Sequence, residues 1–168
     1  MPLQPNASSN FGNPIVPIKV LVVDDQLTVR EGLARLIESA PLALRLVTTA
    51  ATASEALSAA VRHNPDVVLL DVDLAGEDGL ALIPTLALTA AVLVLTSHGD
   101  SVTRARATQL GAQAFIEKHQ PSADLLHAIA DICRQPTGSR WEKSPSRPGS
   151  SASLSMAPSS DAKTPNQS

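Results

Sequence analysis

Residues 66–80 read DVVLLDVDLAGEDGL. Val67 to Leu70 form an apolar run without a polar break, the mark of a short strand covered on both faces. Asp71 and Asp73 follow directly, then Glu77 and Asp78, with Gly76 and Gly79 among them. A buried strand ending in a group of carboxylates sets a physical problem. Acids held together repel one another and lose hydration, so something positive is expected to gather them.

Working outward, the same arrangement recurs. Ile18 to Val23 is a β-branched apolar run that ends at Asp24 and Asp25. Leu44 to Thr49 reads as a second strand, and Asp66 to Leu70 as the third, ending at Asp71. Ala91 to Leu95 reads as a fourth, ending at Thr96. Ala112 to Glu117 reads as a fifth, ending at Lys118. Helical patterns lie between them. Val29, Leu33, Leu36 and Ile37 fall on one face of a first helix. Thr52-Ala53-Ser54-Glu55 has capping-box spacing, and its helix is expected to bury Leu57, Ala60 and Val61. A helix from near Gly79 contains Pro84 and is expected to be short or kinked. Ser101 to Leu110 is a polar helix stopped by Gly111. A last helix starts at Pro121-Ser122, with Leu125, Ile129, Ile132 and Cys133 expected on its inner face.

Apolar strands alternating with helices predict an α/β fold: a doubly wound, five-stranded parallel sheet with five helices. Such sheets bind ligands at the carboxyl ends of their strands, where the winding reverses. Those ends carry Asp24, Asp25, Asp71, Thr96 and Lys118, and parallel strands bring them to one edge. Two carboxylates ~4 Å apart repel by about 4 kcal/mol at an effective dielectric near 20. Lys118 supplies one counter-charge, and a hard divalent cation such as Mg²⁺ supplies two more. Asp71, centrally placed, is then the natural nucleophile toward phosphorus.

The 168 residues carry 43% hydrophobic but only 2% aromatic side chains, so one domain with an aliphatic core is expected. A net charge of −3 argues against a nucleic-acid footprint. Residues 1–17 hold four prolines and no charged side chain and read as a flexible leader. Residues 18–135 form the domain, and 136–168, rich in Ser and Pro, read as a disordered tail with Trp141 as its one large apolar group. The tail has no helix-turn-helix pattern, so no direct DNA binding is expected. No apolar run of about 18 residues and no signal peptide is seen, and the lone Cys133 cannot form an internal disulfide. A cytoplasmic location is the expectation, with no membrane association.

The segments VLVVDD, VVLLDVDLAGEDGL, VLVLTSHGD and GAQAFIEK, in this order, resemble the receiver domain of two-component response regulators over residues 18–134. The resemblance implies a flavodoxin-like fold with strand order 2-1-3-4-5. It implies that Asp71 accepts a phosphoryl group from a sensor histidine kinase or a histidine phosphotransfer protein. Asp24, Asp25, Asp71 and the backbone carbonyl of Asp73 would hold Mg²⁺, and Thr96 and Lys118 would contact the phosphoryl oxygens. Phe115 stands at a switch position. The face of the fourth helix, fifth strand and fifth helix would meet a downstream protein or a second copy. Such a domain is a phosphorelay module rather than an enzyme, beyond loss of its own phosphoryl group.

Two positions depart from that pattern. Ala75 stands where many members have Pro, and His119 stands where Lys118 is usually followed by a cis-Pro. Two other readings compete. One is a small phosphohydrolase of the haloacid dehalogenase type, with Asp71 and Asp73 as its acid pair. The other is a receiver-like binding module that is never phosphorylated. Plainer roles also exist: Asp24 and Asp25 as caps of the first helix, Phe115 as core filling, and Arg104 and Arg106 as a solvated face.

Overall fold

A computed structural model describes residues 16–134. The expected leader (except residues 16 and 17), the expected tail and Trp141 lie outside the described residues. The main sheet contains β1 (Ile18–Val23), β2 (Leu44–Ala50), β3 (Val67–Asp71), β6 (Ala91–Thr96) and β7 (Ala114–Glu117). All neighbours are parallel, in the order β2-β1-β3-β6-β7. This is the expected 2-1-3-4-5 order, with two short hairpin strands, β4 (Asp73–Leu74) and β5 (Glu77–Asp78), intervening in the chain.

Alternation along the strands makes two cores. Leu21, Val23, Val68, Leu70, Val92 and Val94 face one side. They pack there with residues of α2 (Ala53–His63), α3 (Ile83–Leu86) and α4 (Ser101–Leu110). Val20, Val22, Leu69, Leu93 and Leu95 face the other, against α1 (Leu27–Ser39) and α5 (Ser122–Arg134). The central strand β3 is buried along its whole length, so its end, Asp71, is held rigidly.

The helices follow their sequence signals. The Thr52 side chain accepts from Glu55 N at 3.2 Å, while Glu55 Oε2 accepts from Ala51 N at 2.7 Å, one residue before the expected box partner. Pro84 falls at the start of α3 and follows a 3-10 turn at Gly79–Leu82, leaving only a single turn of α-helix. Two inner-face expectations are corrected. Val61 is 87% exposed and Cys133 is exposed, while Ala56 and Ala130 take the buried positions. Val61 sits at the border of its apolar stripe, where helical periodicity alone cannot tell inside from outside, whereas Cys133 shares the face of Ile129 and Ala130 but lies in the last turn of α5.

The loop after β3 is more ordered than a plain acidic turn. β4 and β5 pair antiparallel, Leu74 opposite Glu77, around the two-residue link Ala75-Gly76. Ala75 has φ 55° and Gly76 φ 89°, the signature of a type I′ hairpin. Proline cannot adopt φ 55°, so Ala75 permits a turn that the common Pro would forbid. Alanine in this left-handed region is strained. Ala75→Asn, which creates an Asn-Gly turn, is therefore expected to stabilise the domain by about 1 kcal/mol. The denaturant midpoint should rise without a change in slope, and an unchanged midpoint would remove the strain assignment.

Candidate functional site

The acids arrive from the ends of two neighbouring strands. β1 pairs with β3 in register Val22↔Leu69 and Val23↔Leu70, so Asp24 and Asp71 emerge side by side. Ligand oxygens of Asp24, Asp25 and Asp71 all lie within 4.8 Å of one another. Asp24 is 0% exposed and Asp71 is 5% exposed, while Asp25 is partly open.

Lys118 reaches into this group from the end of β7. Its Nζ lies 2.6 Å from Asp24 Oδ2 and donates to Asp71 Oδ2 at 2.8 Å. The backbone helps to aim it, since Lys118 N donates to the Thr96 carbonyl at 2.7 Å. No peptide bond among the described residues is cis, so the Lys118–His119 bond is trans and the lysine reaches its acids without the proline. The loop is braced instead by Gln120, whose side-chain Oε1 accepts from Glu117 N at 2.9 Å.

The charges do not balance. Three carboxylates and one ammonium leave a formal −2. Burial pushes the Asp71 carboxyl above the ordinary aspartate value, with Lys118 pulling it down and Asp24 adding to the rise. Burial alone would lower the Lys118 amine, but the Asp24 and Asp71 carboxylates outweigh it and hold the lysine above its usual value. Asp24 Oδ2 is buried and, despite the nearby lysine, makes no hydrogen bond of good geometry. An oxygen-only donor set with net negative charge and a lone pair to spare fits a hard divalent cation.

Asp24 and Asp25 do not cap α1. Gln26 is its N-cap residue and makes no side-chain cap bond, while Asp24 Oδ1 accepts from Gln26 N at 2.9 Å. A cleft of about 390 Å³ opens over the acids, lined by Asp25, Asp71, Asp73, Thr96 and His98 among others. The Asp73 side chain faces outward and accepts from Gly76 N at 2.9 Å, bracing the hairpin. Thr96, 5% exposed, donates its hydroxyl to the His98 carbonyl at 3.0 Å. Phe115 is half-buried at the edge of the sheet, away from the acids' immediate contacts.

Three arginines are more engaged than their sequence positions suggested. The Arg104 guanidinium sits 4.5 Å from the Phe115 ring centroid, a cation–π distance. Arg106 pairs with Asp78 at 2.6 Å, joining α4 to the hairpin. Arg30 Nη1 donates to the backbone carbonyls of Asp24 at 2.7 Å and Asp25 at 2.9 Å. The one available signal for Arg30 was a cation in the first turn of a helix, where the dipole disfavours it.

At the start of α4, Asp100 Oδ2 accepts from the Thr103 hydroxyl at 2.6 Å, and Oδ1 accepts from Thr103 N at 2.8 Å and Val102 N at 2.9 Å. The Thr103 bonds hold the Asp100 carboxyl below the ordinary aspartate value. A depressed carboxyl contributes stability above its unfolded pKa and loses it as the pH falls through the folded one. Asp100→Asn should flatten this limb of the stability–pH curve while keeping the cap. An Asp100 carboxyl ¹³C shift that titrates at or above the ordinary aspartate value would contradict the assignment.

Among the described residues, no helix is long and apolar enough to cross a membrane. A family model for the response regulator receiver domain matches residues 20–130. The transcriptional regulatory protein FixJ of Azorhizobium caulinodans is 36% identical over 136 residues, covering 79% of this chain and 63% of the relative. The signal receiver domain of the putative response regulator NarL from Mycobacterium tuberculosis superposes with a TM-score of 0.66 at 27% identity, covering 71% of this chain and 98% of that one. A response regulator from Burkholderia pseudomallei, solved with a phosphorylated aspartic acid and a calcium ion, gives 0.60 at 30% identity, covering 67% and 66%. The chain spans roughly half to three-fifths of the first curated relatives' length, 53% of one and 63% of the other. With the doubly wound sheet and the acids gathered at its carboxyl edge, these matches place the chain in the response regulator receiver domain family.

Proposed function

We propose that Asp71 is the phosphoacceptor of this receiver domain and that Asp24, Asp25 and the Asp73 carbonyl hold Mg²⁺ beside it. The observation that carries this is the single Lys118 ammonium lying 2.6 Å from Asp24 and 2.8 Å from Asp71 while the acid group keeps a net negative charge. The donor is a phosphohistidine on a sensor kinase or phosphotransfer protein. An Asp71 oxygen attacks phosphorus, an O–P bond forms and the P–N bond breaks. The electron pair goes to the imidazole, which takes up a proton. Bound Mg²⁺ supplies charge neutralisation for the transferred group. Lys118 holds one Asp71 oxygen in place and, with the Thr96 hydroxyl, contacts the phosphoryl oxygens.

Thr96 must first release the His98 carbonyl. That movement draws in the loop after β6 and frees space into which Phe115 turns, out from under Arg104. The face formed by α4, β7 and α5 is then read by a downstream protein or a second copy of the domain, without direct DNA contact. The domain acts in the cytoplasm as a signalling module, its chemistry limited to accepting and losing the phosphoryl group.

The test is phosphorylation by a small acyl-phosphate donor with Mg²⁺, read by mass spectrometry. One phosphoryl adduct is expected; it should not form when Mg²⁺ is chelated beforehand, nor in Asp71→Asn. An adduct that persists unchanged in Asp71→Asn removes Asp71 from the role. Rapid multiple turnover of a generic phosphate ester would favour the phosphohydrolase reading instead.

A further inference from the structure

The three carboxylates of the acid group are not held equally. Asp24 is fixed by Gln26 N and Lys118, and Asp71 by Lys118. Among the described residues, the Asp25 carboxylate makes no hydrogen bond or ion pair. It is also the most open of the three. Its place beside the other two therefore depends on its own backbone.

That backbone is clamped by one side chain. Arg30 Nη1 carries two N–H groups; one donates to the Asp24 carbonyl at 2.7 Å and the other to the Asp25 carbonyl at 2.9 Å. The Asp24 carbonyl belongs to the peptide plane before the Asp25 Cα, and the Asp25 carbonyl to the plane after it. A peptide unit is planar, so holding both planes fixes φ and ψ of Asp25 and hence the direction of its Cβ. The position of Arg30 makes a helix-stabilising role a poor explanation. It lies in the first turn of α1, whose N-cap residue makes no side-chain bond and which has no acid there. A cation at that end opposes the helix dipole.

We infer that Arg30 is a positioning residue for the cation site: it presets the Asp25 carboxylate toward Asp24 and Asp71. This rests on the metal reading of the acid group given above. Outer partners of ligating groups act in this way, by narrowing the geometries a ligand samples before the ion arrives. Charge and position act on the cation in opposite directions. A positive charge beside the acids, acting through charge alone, would oppose a second cation, so removing it would tighten Mg²⁺. Acting through position, its removal loosens Mg²⁺.

The experiment is a Mg²⁺ titration of the full chain followed by ¹H–¹⁵N NMR, for the wild type, Arg30→Met, Arg30→Lys and Asp25→Asn. Arg30→Met is expected to weaken Mg²⁺ by about 10-fold, in line with the loss of an outer partner. Arg30→Lys keeps the charge but not the fork, and should weaken it by a smaller factor. The Mg²⁺ concentration for half-maximal acyl-phosphate labelling should shift by the same factor, with the plateau rate unchanged. A loss of stability alone would leave both half-saturation points where they are in the folded fraction. Arg30→Met that binds Mg²⁺ as tightly as the wild type, or more tightly, overturns the inference. Should Arg30→Met fail to fold, Arg30→Lys decides: weaker binding supports the clamp and unchanged binding overturns it. A wild type that binds no Mg²⁺, or binds it equally in Asp25→Asn, locates the failure in the metal reading rather than in Arg30.

Discussion

Lys118→Met is expected to destabilise the domain by about 3–5 kcal/mol, the range found when one partner of a buried ion pair is removed. The lysine side chain is 16% exposed and stands between Asp24 and Asp71, at 2.6 and 2.8 Å. Methionine keeps the apolar stem but leaves two buried carboxylates facing each other, with Asp25 adjoining them. Their desolvation is then uncompensated. A double-mutant cycle with Asp24→Asn tests the mechanism. If the penalty is the orphaned charge, Asp24→Asn should recover a large part of it, because it removes the more deeply buried acid. A loss below about 1 kcal/mol would place the pair among weakly coupled surface ion pairs and undo the electrostatic account of the site. Mg²⁺ should rescue Lys118→Met more than it stabilises the wild type, since a divalent cation replaces the missing counter-charge.

How much of this was legible in the sequence follows from what each residue depends on. Asp24, Asp71, Thr96 and Lys118 were placed together because parallel strands carry their carboxyl ends to one edge, and the strands were visible as apolar runs. That inference needs no side-chain geometry. The Ala75-Gly76 hairpin was not legible, because the usual turn signal is Asn-Gly or Asp-Gly and alanine disfavours positive φ. Val61 and Cys133 are misplaced for different reasons: Val61 lies at a stripe border, where one step of 100° moves a side chain from core to solvent, and Cys133 lies on the inner face but in the last turn of α5. The contacts of Arg30, Arg104 and Arg106 were out of reach because long side chains choose among partners only once the fold exists. The departure at His119 leaves Lys118 in place because the pairing of β6 with β7 sets the lysine's position before the chain reaches that bond.

Gly79→Ala is the other substitution with a large expected effect, and its cause is steric. A Cβ built on Gly79 would lie 2.0 Å from the Asp71 carbonyl oxygen and 2.9 Å from the Val72 oxygen. Both are backbone atoms, so no side chain can rotate away. Gly79 N also donates to the Val72 carbonyl at 2.7 Å, which pins the 3-10 turn against the end of β3. To admit one methyl group, the turn must lift off the strand and give up that bond, or β3 must shift within a fully buried sheet. Overpacking commonly costs ~1–3 kcal/mol, and a backbone clash should reach or pass about 3 kcal/mol. The effect should not stop at stability. The Asp71 carbonyl and the Asp71 carboxylate share one residue, so displacing the first moves the second relative to Asp24 and Lys118. Gly79→Ala should therefore slow acyl-phosphate labelling even where the protein remains folded. Gly76→Ala makes the informative comparison: nothing lies within 4 Å of its would-be Cβ, and only its φ of 89° opposes the change. Labelling and stability that fall equally in the two variants would point to general loop strain. A much larger loss in Gly79→Ala assigns the effect to contact between this turn and the residue proposed to accept the phosphoryl group.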